Sequence, residues 1–171
     1  VRKYLNGSKG MGLSYQPLRA GDHGVEGLQH KPRRRNAIEV FCDASYGSQD
    51  FKSTSGFAVF YAGCPVFWLT CRQPFIAMST AESELLAMME GVTASRGVSS
   101  LVEELEEGSC EKYLFSDSSA AIAIVNGSSG SWRTRHLRMR SSILTEAVRN
   151  KELYLQHFPG KFLVADGLTK Q

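Results

Sequence analysis

Ser79 and Glu82 set the start of a long helix, and the residues after them constrain the chain more than any other stretch. In Met78-Ser-Thr-Ala-Glu-Ser-Glu-Leu-Leu-Ala-Met-Met89 the Ser79 hydroxyl is placed to accept from an early helical N–H. Glu82, three residues on, is placed to reach back to the cap. Leu85, Met88, Met89, Val92, Leu101, Val102 and Leu105 then recur at helical spacing, predicting a helix over about 80–107 with a break near Gly97 and a stop at Gly108. Glu82 thus has a local task. Glu84 has none: at about 100° per residue it points to nearly the opposite side. A lone first-turn glutamate is ordinarily a solvated residue favoured by the helix dipole, so its meaning depends on acids elsewhere.

Three strand-like runs precede that helix. Ile38, Val40 and Cys42 alternate with Glu39, Phe41 and Asp43, and Gly47-Ser-Gln-Asp50 closes the run, leaving Asp43 near a strand end. Runs 54–61 and 65–71 are rich in aromatic and β-branched residues, and Ala62-Gly-Cys-Pro65 between them reads as an antiparallel hairpin turn. After the helix, Lys112-Tyr-Leu-Phe-Ser116 is a strand and Asp117 follows it, before a small-residue helix over 118–125. Asp117 therefore lies where open α/β sheets build sites, although alone it would read as a helix N-cap. Next, a helix reaches about residue 150, with Met139, Ile143, Leu144, Ala147 and Val148 inward. A last strand follows over 153–158, and a short terminal helix holds Asp166.

Composition fits one domain. The chain has 171 residues, 42% apolar and 22% charged, enough for a single sizeable core. Its apolar runs fall short of the roughly 20 residues a membrane helix needs, so the expectation is a soluble intracellular protein. Cys42, Cys64, Cys71 and Cys110 form no C-x-x-C pair and read as small packing residues rather than zinc ligands or disulfides. The expected division is 1–36, the end of a preceding module and a glycine- and arginine-rich linker, and 37–171, the folded domain. The net charge of +3 is mild, but Trp132-Arg-Thr-Arg-His-Leu-Arg-Met-Arg140 concentrates cations beside an aromatic, a combination that suits a nucleic-acid backbone. A solvated helix face would account for the same arginines.

Asp43, Glu84, Asp117 and Asp166 sit on four separate elements. Capping cannot explain all of them, and like charges brought together are stable chiefly when they hold divalent cations. Oxygen ligands suit Mg²⁺ or Mn²⁺, and two such ions about 3.5–4 Å apart are the apparatus of phosphodiester hydrolysis.

At these residues the chain resembles the ribonuclease H domain of copia-type LTR retrotransposon Pol polyproteins. The matching pieces stand in the family's order: Phe41-Cys-Asp-Ala-Ser45, Lys52-Ser-Thr-Ser-Gly56, Met78-Ser-Thr-Ala-Glu-Ser-Glu84, Phe115-Ser-Asp-Ser-Ser-Ala120, Thr134-Arg-His-Leu-Arg138 and Ala165-Asp-Gly-Leu-Thr-Lys170. The resemblance covers about 38–170, and the opening VRKYLNGSKGMGLSY is similar to the segment such polyproteins place between reverse transcriptase and ribonuclease H.

The resemblance implies an α/β ribonuclease H-like fold, a five-stranded mixed sheet flanked by helices, that cuts the RNA strand of RNA–DNA hybrids with two Mg²⁺, Mn²⁺ being able to substitute. It implies that Asp43 bridges both ions, that Glu84 and Asp117 hold one, and that Asp166 holds the other. Ser116 and Ser118 would meet the minor-groove side of the hybrid, and Arg133, Arg135, His136, Arg138 and Arg140 its phosphates. The implied partners are the hybrid and the reverse transcriptase of the same polyprotein, with no membrane, in cytoplasmic retrotransposon particles with possible nuclear access. Two positions depart from the family: Ser118 stands where an asparagine is common, and Gly160-Lys-Phe-Leu163 where many ribonucleases H carry a histidine. His157 is expected inside the last strand without a catalytic role. The competing reading is a non-catalytic nucleic-acid-binding remnant of the same fold.

Overall fold

The alternating runs become an antiparallel meander: β1 (Ala37–Ser45), β2 (Thr54–Tyr61) and β3 (Cys64–Arg72). The computed structural model describes residues 36–47, 51–127 and 135–170, with 7, 10–12 and 15, and excludes the side chains of 135, 136, 138 and 140. Ala62 and Gly63 join β2 to β3 with φ of 47° and 79°, opposite the Tyr61–Cys64 pair. Two positive φ values give the primed turn whose twist suits a hairpin. β4 (Glu111–Ser116) pairs with β1 and β5 (Tyr154–His157) with β4, both parallel, giving the order β3-β2-β1-β4-β5. This is the expected five-stranded mixed sheet.

Among the described residues, the α-helices beside the sheet are α1 (Thr80–Glu106), α2 (Ser119–Val125), α3 (Arg135–Arg149) and α4 (Asp166–Thr169). Two cores result. On one face Ile38, Val40, Cys42, Phe57 and Val59 pack with Leu85, Met88 and Val92 of α1 and Leu144 of α3. On the other, Phe41 stacks on Phe115 with ring centroids 4.9 Å apart, and Phe158, Leu163 and Ala165 close over them. β1 is central to both, which is why its first seven residues are all buried.

Several expectations are corrected. α1 runs unbroken through Gly97, and the left-handed residue that ends it is Glu107 (φ 51°), not Gly108. A helical glycine costs only about 1 kcal/mol, which the packing of Val92 and Val102 around it outweighs. Leu101 and Leu105 are exposed, while Val102 between them is the residue of that stretch that joins the core. On α3, Met139 and Ile143 are exposed as well, whereas Leu137, Ser141, Leu144 and Ala147 are buried. The predicted inward positions Leu144, Ala147 and Val148 do meet the core; only Met139 and Ile143 are displaced from it, their places taken by Leu137 and by a serine that no apolar pattern reveals. β3 exposes Val66, Phe67, Trp68 and Leu69, as an edge strand does, and the Tyr15 hydroxyl donates to the Pro65 carbonyl there (2.8 Å). The four cysteines are free, Cys42 and Cys110 buried and the other two half-buried. Among the described residues, no helix is long and apolar enough to cross a membrane.

Candidate active site

The parallel β1–β4 register sets Phe41 beside Phe115. Two residues further along the chain in each case, at the carboxyl edge, stand Asp43, near the end of β1, and Asp117, just past the end of β4. The helix that follows Asp117 does not use it as a cap: the Ser118 hydroxyl accepts from Ala121 N–H (3.3 Å). Ser118 thereby leaves the Asp117 carboxylate available. Ser116 is fully buried, and its hydroxyl accepts from Ser118 N–H (3.1 Å), so in this structure that side chain orders the β4–α2 turn instead of facing a groove.

The third acid arrives on the first turn of α1. Ser79 Oγ accepts from Glu82 N–H (3.2 Å), and Glu82 Oε2 accepts from Met78 N–H (2.7 Å), so the predicted capping box forms with its return bond one residue before the cap. Glu84 is turned away toward the sheet edge. Gln73, a residue the sequence did not single out, pins this turn: its buried Nε2 donates to Ser55 Oγ on β2 (3.0 Å) and to the Ser83 carbonyl on α1 (2.9 Å).

Asp166 comes from α4, which lies against β1 and β2 because Gly56 has no side chain. A Cβ there would meet Thr169 Cγ2 at 2.7 Å and Leu168 Cβ at 2.9 Å. Gly56 is the β2 partner of Asp43, so this contact lets the buried Thr169 hydroxyl donate directly to Asp43 Oδ2. Thr70 Oγ1 holds the same helix through the Leu168 carbonyl (2.9 Å). Asp166 itself is engaged by Lys170, whose Nζ lies 2.5 Å from Oδ1 and 2.6 Å from Oδ2.

One carboxylate oxygen from each of Asp43, Glu84 and Asp117 lies within 4.8 Å of the others. Asp166 stands outside that trio, but near enough for its charge to act on Asp43. Burial is the largest cause raising the Asp43 carboxyl; the Thr169 hydrogen bond opposes it, and Asp117 and Asp166 add to it. Glu84 is pushed up to about 8, first by burial, then by the charges of Asp43 and Asp117. Its Oε2 is buried without a hydrogen-bond partner. A buried acceptor left unsatisfied is costly, and here it belongs to a cluster of oxygen donors whose mutual repulsion a cation would relieve. The residues therefore fit a hard divalent ion such as Mg²⁺ or Mn²⁺.

The remaining predicted contacts fall differently. Arg133 lies outside the described residues; Arg135, His136, Arg138 and Arg140 belong to α3, but their side chains lie outside them too. His157 ends β5 as expected, and its Nε2 is 3.1 Å from the Asp117 carbonyl oxygen, a distance at which the ring N–H donates. Gly160 packs directly on Asp117: a Cβ would stand 2.5 Å from Oδ2. Thr169, Lys170, Gln73 and Gly160 are the site-shaping residues that pattern reasoning missed. Of these, the only local signal was the Asp166–Lys170 spacing of four.

No family model matches the chain. It is 28% identical over 145 residues to the Transposon Ty1-NL2 Gag-Pol polyprotein of Saccharomyces cerevisiae, covering 83% of this chain and 8% of that one. The Ty1-ER2 Gag-Pol polyprotein of the same yeast is 29% identical over 137 residues, covering 79% and 8%. The chain thus spans under a tenth of the curated relatives it matches. Among solved structures, RNase H1 of Halobacterium salinarum superposes with TM-score 0.55 at 16% identity, covering 77% of this chain and 93% of that one. LC11-RNase H1 in complex with an RNA/DNA hybrid gives TM-score 0.59 at 12% identity, covering 77% and 92%. At such identities the likeness speaks for the fold.

Proposed function

Starting from a chain that is a ribonuclease H domain of the LTR-retrotransposon Pol family, we propose that it hydrolyses the RNA strand of RNA–DNA hybrids with divalent metal ions. The observation that carries the proposal is the Asp43–Glu84–Asp117 cluster, with all three oxygens within 4.8 Å and the Glu84 Oε2 unsatisfied. Homology to Gag-Pol polyproteins and a solved ribonuclease H1 bound to an RNA/DNA hybrid support the substrate class.

Asp43, Glu84 and Asp117 would hold one Mg²⁺, and Asp43 with Asp166 a second. When bound, the ions supply Lewis acidity to an attacking water and to the leaving oxygen of the phosphodiester. The protein's own residues prepare this. Thr169 fixes Asp43 through one carboxylate oxygen, Gln73 and the Ser79–Glu82 box orient the turn bearing Glu84, and Ser118 caps α2 so that Asp117 need not. Ser118 and the basic residues Arg133, Arg135, His136, Arg138 and Arg140 would contact the hybrid, with phosphate neutralisation making binding salt-dependent. Ser116 we assign to the turn beneath them. Residues 1–36 would connect the domain to the preceding reverse transcriptase, with 37–171 forming the nuclease. The setting would be cytoplasmic retrotransposon particles.

The test is cleavage of an end-labelled RNA–DNA hybrid with Mg²⁺ or Mn²⁺ by the wild type, Asp43→Asn and Glu84→Gln, with double-stranded DNA as control. The proposal expects RNA-strand cutting that both substitutions reduce by at least a hundredfold. Hybrid binding without cutting by the wild type would instead favour the non-catalytic remnant.

A further inference from the structure

We infer that Lys170 is a tethered cation that occupies the Asp166 carboxylate and competes with a divalent ion for it, so that Lys170 sets how tightly the second ion binds. This rests on the two-ion reading above. Lys170 Nζ lies at 2.5 and 2.6 Å from the two Asp166 oxygens, so neither can ligate an ion at full strength until the ammonium leaves. Among the described residues, Asp43, Glu84 and Asp117 have no basic partner within ion-pair distance; the acid outside the close trio is the one that is covered. The two residues stand four apart, at the start of α4 and just past its end, a spacing that holds aspartate and lysine on one face.

The exchange is confined to side chains. α4 is anchored by Gly56, by Thr169 on Asp43 and by Thr70 on the Leu168 carbonyl, so Asp166 stays in place when its partner changes. The Lys170 side chain is 72% exposed, and a displaced ammonium moves into water. The two ion positions are consequently unequal: among the described residues the three acids of the first have no cation in ion-pair contact, although the Lys170 charge also reaches Asp43 and Asp117 from a distance, and the second requires displacement of a built-in one.

The test titrates Mn²⁺ alone into the full chain, by calorimetry and by the paramagnetic signal of free Mn²⁺, with no nucleic acid. Wild type should show a tighter and a weaker step. Lys170→Met should tighten the weaker step at least tenfold and move the tighter one less than threefold, whereas Lys170→Arg should stay near wild type. In an Asp166→Asn background the Lys170→Met effect should shrink below threefold. A weaker step unmoved by Lys170→Met, or both steps tightened equally as a general charge effect would do, overturns the inference while the two-ion reading stands. Absence of any Asp43-dependent Mn²⁺ binding overturns both.

Discussion

Replacing Glu84 by glutamine in the metal-free protein isolates what it costs to gather these carboxylates. In the folded chain burial and the charges of Asp43 and Asp117 raise Glu84 to about 8, against about 4.3 for an unperturbed glutamate. Between those values the folded state keeps a proton that the unfolded state has released. The unfolded state therefore binds fewer protons, and stability falls as pH rises through the window, by roughly 4–5 kcal/mol from pH 4 to pH 9. That is a large part of the ~5–15 kcal/mol that holds a domain together. Glutamine cannot ionise, so Glu84→Gln should match wild type within about 1 kcal/mol near pH 5 and exceed it by about 3–5 kcal/mol at pH 9. Asp43, raised in the same direction, leaves a smaller residual slope. Urea unfolding followed by circular dichroism in EDTA, at half-unit pH steps, measures this. Saturating Mg²⁺ at a hundred times its dissociation constant should return about 2.7 kcal/mol to wild type and much less to the variant. A Glu84→Gln protein that loses stability with pH as steeply as wild type would refute the reasoning.

Thr169→Val removes the hydroxyl that holds Asp43 as a carboxylate; Asp43 should then protonate at higher pH, moving the acidic limb of the pH–rate profile upward while the fold is kept. Gly160→Ala should displace Asp117, since the new methyl would sit 2.5 Å from Oδ2; Mn²⁺ affinity should fall at least tenfold with a smaller change in thermal midpoint. Ser79→Ala removes the α1 cap and should cost about 1 kcal/mol in urea unfolding, with a loss of activity because Glu84 rides on the same turn.

How much of this could be read from the chain depends on how local each cause is. The strands, the α1 cap and the separation of Glu82 from Glu84 follow from periodicity and capping chemistry within a few residues, and the structure places them so. Asp117 alone reads as a helix N-cap as readily as a site acid; the observed bond from Ala121 N–H to the Ser118 hydroxyl moves the cap one residue on and decides it. Thr169 and Asp43 are 126 residues apart, and nothing near Thr169 announces its partner. The same holds for Gln73, whose two buried bonds join β2 and α1. On α3 the expected inward Leu144, Ala147 and Val148 meet the core, and Met139 and Ile143 mislead for a different reason: they are apolar yet exposed, while the polar Ser141 is buried.

The central claim is that this carboxylate cluster directs metal-assisted attack by water on RNA paired to DNA, and the chemistry of the cut ends tests it most directly. Mapping the termini of a labelled RNA–DNA hybrid after incubation with Mg²⁺ should reveal simple hydrolysis, with no 2′,3′-cyclic phosphate, abolished by EDTA and by Asp43→Asn. Cyclic phosphate ends, or cleavage that survives either treatment, would contradict the account.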